Sequence, residues 1–150
     1  KSGCYSKYGK GIIGVLKKQD PPFYSGAKFT KKNVNNDKLT KLYHGCGIKG
    51  KKYLKGGGII EIKCDRLINY GSILSNGSFG CSGGPIFITA KLCFNYGNIM
   101  SIGGNEAMDK HGKGGNGKIA IYSNIFENHG EITPKPYIDK YKKGLNIFNK

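Results

Sequence analysis

Gly57-Gly58-Ile59-Ile60-Glu61-Ile62, followed by Leu67-Ile68-Asn69-Tyr70-Gly71-Ser72-Ile73, is the first of three related stretches. The second is Gly83-Gly84-Pro85-Ile86-Phe87-Ile88, then Cys93-Phe94-Asn95-Tyr96-Gly97-Asn98-Ile99. The third is Gly114-Gly115-Asn116-Gly117-Lys118-Ile119-Ala120-Ile121, then Phe126-Glu127-Asn128-His129-Gly130-Glu131-Ile132. In each copy the first Ile of Ile-x-Ile precedes the Asn by nine residues, and that Asn precedes the last Ile by four. The three Asn are 26 and then 33 residues apart, so one connection carries an extra loop. A recurring period of this length is the mark of a repeat architecture.

Ile-x-Ile alternates as a strand with one face inward. A second short strand is expected over Leu67 to Asn69 and a third over Ser72 to Leu74, with Gly-rich turns between them. Strands this short cannot bury a face alone, but stacked copies can, each strand pairing with its equivalent about 4.8 Å away. The fold class read here is therefore all-β: a parallel β-helix (β-solenoid) of three to four coils over residues 56–138. Right-handed winding is the usual sense for such coils, although the pattern itself does not give the hand. Ile60, Ile86 and Ile119 would stack inside, as would Ile62, Ile88 and Ile121, and again Ile73, Ile99 and Ile132. Glu61, Phe87 and Ala120 lie between inward Ile and should face out. The Gly that follows each Asn points to a turn with positive φ or a close approach of chains. Asn69, Asn95 and Asn128 then form an amide ladder along the stack; the alternative is a row of ligand-binding groups.

Leu67, Cys93 and Phe126 fit an inward column. Their neighbours Ile68, Phe94 and Glu127, and Arg66, Leu92 and Ile125, should then point outward. Ile68, Phe94, Leu92 and Ile125 are apolar, so either the N-terminal third or another chain should cover them. The first is the favoured expectation; the second makes these four a protein interface.

The chain has 150 residues and a net charge of +16, with 25 Gly and no Trp. The excess charge is concentrated in residues 1–55, a Lys-rich segment expected to be irregular or an atypical first coil packed on the repeats. Lys31, Lys32, Lys49, Lys51, Lys52 and Lys55 are its candidate polyanion contacts, for DNA or an acidic glycan. A field rich in Lys and poor in Arg suits nonspecific contact better than bidentate base reading. Solvated surface is the plainer alternative. Gly11-Ile12-Ile13-Gly14-Val15-Leu16 is too short to span a membrane. Lys38 to Tyr43 reads as a helical turn or an entry strand. Pro134 and Pro136 are expected to stop the ladder, since Pro has no N–H to donate. Residues 139–150 read as a cap or a tail. Lys1 is not an initiating Met, which points to a fragment or a processed chain.

No cofactor or metal is expected. Five Cys, an odd number, argue against a closed disulfide framework. Zinc through His44 and Cys46 lacks a well-spaced second pair of ligands. The run 112–117 is rich in Gly but lacks the Gly-Lys-Ser/Thr ending of a phosphate loop. Glycan cleavage needs two carboxylates at a set separation. Glu61, Asp65, Glu127 and Glu131 are the acids on offer, and no column collects them.

Gly-Gly-x-Ile-x-Ile, then Asn-Tyr-Gly-x-Ile, then a Gly-rich linker resembles the glycine-rich repeat proteins of giant DNA viruses of the mimivirus type. Residues 117–122 and 134–137 also resemble that group, and the likeness spans residues 56–138. It implies a structural protein of the virion or of the viral factory in the host cytoplasm, and it carries no active site to transfer. Three functions follow as expectations. The first is a non-enzymatic module that makes protein contacts or self-associates. The second is a polyanion-binding module, and the third a glycan-active enzyme.

Overall fold

A computed structural model describes residues 5–6, 38–42, 44–45, 47–48, 55–105 and 114–143. Among them there is no helix, and every strand pairing is parallel. The strands are β1 (Tyr5–Ser6), β2 (Gly47–Ile48), β3 (Ile60–Asn69), β4 (Ser72–Leu74), β5 (Ile86–Asn95), β6 (Asn98–Met100), β7 (Ile119–Asn128), β8 (Glu131–Thr133) and β9 (Tyr137–Asp139). β1 pairs with β2; β3-β5-β7-β9 form a long sheet and β4-β6-β8 a short one.

Register follows the repeat. Ile60 lies against Ile86 and Ile86 against Ile119; Asn69 lies against Asn95 and Asn95 against Asn128. In the short sheet Ile73, Ile99 and Ile132 align. These columns and Cys93 enclose a core in which Ile86, Ile88, Ala90, Ile99 and Ile121 are fully buried. Their equivalents in the first copy are only half-buried, because they have a neighbour on one side alone.

The two short strands expected over 60–62 and 67–69 are one ten-residue strand with a corner in it. Pairing skips Asp65, Lys91 and Asn124 and resumes at Arg66, Leu92 and Ile125. Positions 60, 62 and 64 face the core, and so do 67 and 69, so two successive residues point outward at the bend. Alternation would forbid that in a straight strand. β8 in the short sheet ends just before Pro134, as expected, but pairing in the long sheet continues beyond the prolines: three residues on, β9 pairs with β7 through Ala120↔Tyr137, Ile121↔Ile138 and Tyr122↔Asp139.

The connections set the spacing of the copies. Eleven residues separate β4 from β5, eighteen separate β6 from β7, and three separate β8 from β9. Where the chain enters a copy, backbones meet closely: the Gly57 N–H reaches the Ser82 carbonyl at 2.9 Å, and the Gly83 N–H reaches Gly115 at 2.9 Å. A Cβ on Gly84 would collide with the Gly58 and Gly57 carbonyls and one on Gly57 with the Ser75 carbonyl, whereas Gly58 has open space.

Residues 38–42 form neither a helical turn nor a strand. They lie across the outer face of the long sheet. There Leu39, fully buried at φ 51°, packs with Phe87, Ala120, Tyr122, Leu42 and Tyr137. The Tyr122 hydroxyl donates to the Lys38 carbonyl at 2.5 Å. The N-terminal third thus covers the Phe87 and Ala120 column and not, in its described part, the Leu92 and Phe94 columns. The apolar run 11–16 lies outside the described residues, as do residues 144–150 of the tail.

None of the Gly that follow the Asn has positive φ; Gly97 and Gly130 serve close approach. A Cβ on Gly97 would strike the Gly71 carbonyl oxygen, whereas Gly71 itself has open space. Gly97→Ala is therefore expected to lower the unfolding free energy by about 2 kcal/mol or more, while Gly71→Ala stays within about 0.5 kcal/mol of the parent. Urea unfolding of the two variants measures this contrast.

Candidate functional site

The Asn column lies just inside the turn that ends each long strand. Asn69 Nδ2 donates to Asn95 Oδ1 at 2.8 Å, and Asn95 Nδ2 to Asn128 Oδ1 at 2.8 Å. The same amides reach turn carbonyls, Asn95 Nδ2 to Gly97 at 3.1 Å, and accept from turn N–H groups, Gly71 and Gly130 each at 3.2 Å. Asn95 is fully buried. Its amide is consumed in holding the turn, which leaves no donor set aimed at a ligand.

Beyond the corner the long sheet shows solvent a three-by-three array. Its rows are Arg66-Ile68-Tyr70, Leu92-Phe94-Tyr96 and Ile125-Glu127-His129, and its columns are in register. Ile68 is 44% exposed and Ile125 52%, while Leu92 and Phe94 are half-buried. The third column stacks ring on ring. Tyr70 and Tyr96 are 4.9 Å apart and 9° from parallel; Tyr96 and His129 are 5.1 Å apart and also 9° from parallel. Phe94 meets Tyr96 edge-on at 6.5 Å. His129 also lies 3.0 Å from the Glu127 carboxylate. Strand spacing and residue rise give this array an area on the order of 300 Å². That is the size of the largest apolar patch on an ordinary monomer, often a functional one. It falls well below the roughly 800 Å² per partner of a stable interface, so alone it supports weak or multivalent contact.

The acids are dispersed. Glu61 pairs with Lys63 at 2.9 Å, Asp65 with Lys91 at 2.9 Å, and Glu131 accepts from the Thr133 hydroxyl at 3.2 Å. No acid stacks on another in the paired columns. Among the described residues no group of three His, Cys, Asp or Glu is placed to hold a metal ion. Cys46, half of the zinc alternative, lies outside them.

Of the candidate polyanion contacts, Lys55 is exposed; Lys31, Lys32, Lys49, Lys51 and Lys52 lie outside the described residues. Lys38 from the N-terminal third and Lys142 from the tail both act on Asp139. Its carboxyl is held below the usual range first by the Lys140 N–H, then by the Tyr137 hydroxyl and these two charges. The role of Leu39 had no clear sequence signal, since it is a lone apolar residue in a polar run. The aromatic column was visible as Tyr, Tyr and His at one repeat position.

Comparison with known proteins finds no matching family model, no matching curated relative and no matching solved structure. No helix among the described residues is long and apolar enough to cross a membrane.

Burial pushes the Cys93 thiol up to about 11, with Cys64 nearby adding to the effect. It pushes the Tyr122 phenol up to about 12, with contributions from Tyr137 and Asp139. Between its ordinary value and the raised one, each group is ionised in the unfolded chain but neutral in the fold. The unfolded state then binds fewer protons, so stability falls as pH rises. Stability is expected to decline progressively from about pH 9 to 12, and Tyr122→Phe should flatten the upper part of that decline. Denaturant midpoints across that range measure it.

Proposed function

We propose that the chain is a short, right-handed parallel β-solenoid, with three full coils and the start of a fourth. It works as a non-enzymatic structural module that makes protein contacts, its own copies included, through the outward array centred on Phe94. The observation that carries this reading is the exposure of Ile68 and Ile125 beside a stacked aromatic column on a flat, regular face. Small regular faces gain strength when repeated in an assembly, where weak contacts add through effective concentration. The setting, a giant-virus particle or the viral factory in the host cytoplasm, comes from the likeness of the Gly-Gly-x-Ile-x-Ile and Asn-Tyr-Gly-x-Ile motifs. The reading is non-enzymatic because the acids are paired and spread over separate columns.

The full chain is expected to show concentration-dependent association by sedimentation. Phe94→Lys and Ile125→Glu should reverse it without altering the circular dichroism spectrum. A parent chain that stays monomeric, and whose entry into particles is unchanged by Phe94→Lys, would sink the reading.

A second reading has support of its own. Lys38 and Lys142, from distant parts of the sequence, converge around Asp139, giving a basic region that polyanions could contact. If DNA or heparin binds there, affinity should fall steeply with salt as counterions are released. Removal of residues 1–55 would also remove the Leu39 anchor, so the sharper variant is Lys38→Glu with Lys142→Glu. Binding that ignores both the salt and the variant counts against this reading.

A further inference from the structure

Away from the array, the connections that follow β4 and β6 form a cleft of about 330 Å³. Two adjacent segments line it side by side, Asn76, Gly77, Ser78 and Phe79 from the first connection and Ile102, Gly103, Gly104 and Asn105 from the second. The volume is at the lower end of small-ligand sites. The segments are tied by backbone bonds of 2.9 Å each: Gly77 N–H to Ile102, Gly80 N–H to Asn105 and Gly104 N–H to Cys81. Gly80, at φ 69°, turns the chain so that Phe79 stands at the rim. The cleft is therefore formed before any ligand arrives, and little ordering is left for binding to impose.

The lining has a particular chemistry. Phe79 is 57% exposed, and no ring among the described residues packs on it. Asn76 Oδ1 is fixed by the Ile102 N–H at 2.9 Å, which sets the amide plane and leaves its NH₂ with two donors to offer. The Asn105 side chain makes no hydrogen bond to any described residue and can both donate and accept. Ser78 is not available, because its hydroxyl is engaged with the Lys55 N–H at 2.7 Å and the Lys55 carbonyl at 3.0 Å. Among the described residues that line the cleft none is charged; Lys55, whose backbone holds Ser78, lies next to it.

These features select among ligands. An anion would find no cation among the described lining residues. A purely apolar group would cover the two amides without pairing them, at a cost of about 1–3 kcal/mol for each buried unsatisfied group. What fits is a neutral ring with an apolar face of C–H groups and hydroxyls at its edge, since a hydroxyl both donates and accepts, as an amide does. We propose that this cleft binds the neutral pyranose units of a glycan, with the sugar ring on Phe79 and its hydroxyls on Asn76 and Asn105. The site is separate from the Phe94 array and does not depend on the function assigned to that face.

The test is NMR titration of the full chain with cello-, chito-, manno- and β-1,3-gluco-oligosaccharides, with single-stranded DNA and a heparin oligosaccharide as comparisons. At least one neutral oligosaccharide should shift the Asn76, Phe79 and Asn105 resonances, with an affinity unchanged by salt. Phe79→Ala should weaken that binding roughly tenfold, the worth of one stacked ring, and Phe79→Trp should preserve it. Because Phe79 is exposed, the unfolding midpoint should not move in either variant. No shift with any of the four neutral sugars overturns the proposal. So does binding that survives Phe79→Ala, or a Phe79-dependent response to the DNA or heparin alone.

Discussion

In-register parallel pairing brings like residues together at every position of the long sheet, and the amide ladder converts that into a lock. Asn95 is buried with its Nδ2 on Asn128 and its Oδ1 receiving Asn69. A slip of one residue would put a side chain without an amide opposite it and turn the Ile columns outward. The orphaned amide alone would cost about 1–3 kcal/mol, before any loss of apolar burial. Turn geometry, glycine placement and ring stacking all presuppose this register. Gly97 must sit against the Gly71 carbonyl because Asn69 and Asn95 already align the turns, and Tyr70 meets Tyr96 face to face for the same reason.

The same constraint makes the middle of the stack differ from its ends. The second copy has neighbours on both sides, and its inward Ile are fully buried; those of the first copy are half-buried, and Ile138 beyond the third is 49% exposed. Repeat stacks gain stability from nearest-neighbour interfaces, so terminal copies are the weakest and depend on what covers them. Leu39 offsets part of this from the side. It buries the outer face of Phe87 and Ala120, so the first half of the long sheet has protein on both faces while the second half presents its array to solvent. This division, one half covered and the other open, places Ile68, Tyr70, Tyr96 and Ile125 on one surface.

How much of this was legible in the sequence depended on whether a feature repeats. The Ile columns, the Asn column and the short third strand recur at fixed spacing, and the pairing register follows that spacing. The corner at Asp65 was harder, because two successive outward residues look like a break between strands, although the backbone carries on through them. The prolines misled for a related reason. Pro cannot donate to a ladder, and β8 ends before Pro134, but three residues carry the chain back to the long sheet, where pairing continues at Tyr137. Leu39 and Phe79 occur once each, and periodicity carries no information about positions that do not recur. Their surroundings depend on contacts distant in sequence, Leu39 with Tyr122 and Gly80, next to Phe79, with Asn105.

That contrast bears on where specificity can reside. The repeated positions are committed to register: their amides are paired along the stack, and their ring faces are occupied by one another. In the tyrosine column, stacking at about 5 Å leaves mainly ring edges for a partner, which suits broad, weak contact better than recognition of one molecule. Unrepeated chemistry is found where the connections lengthen, in the eleven residues after β4 and the eighteen after β6. There an aromatic ring and two amides are left without the neighbours that occupy their counterparts in the ladders. In a stack held by sameness, the insertions are where polar groups are most readily freed from the duty of holding the next copy in place.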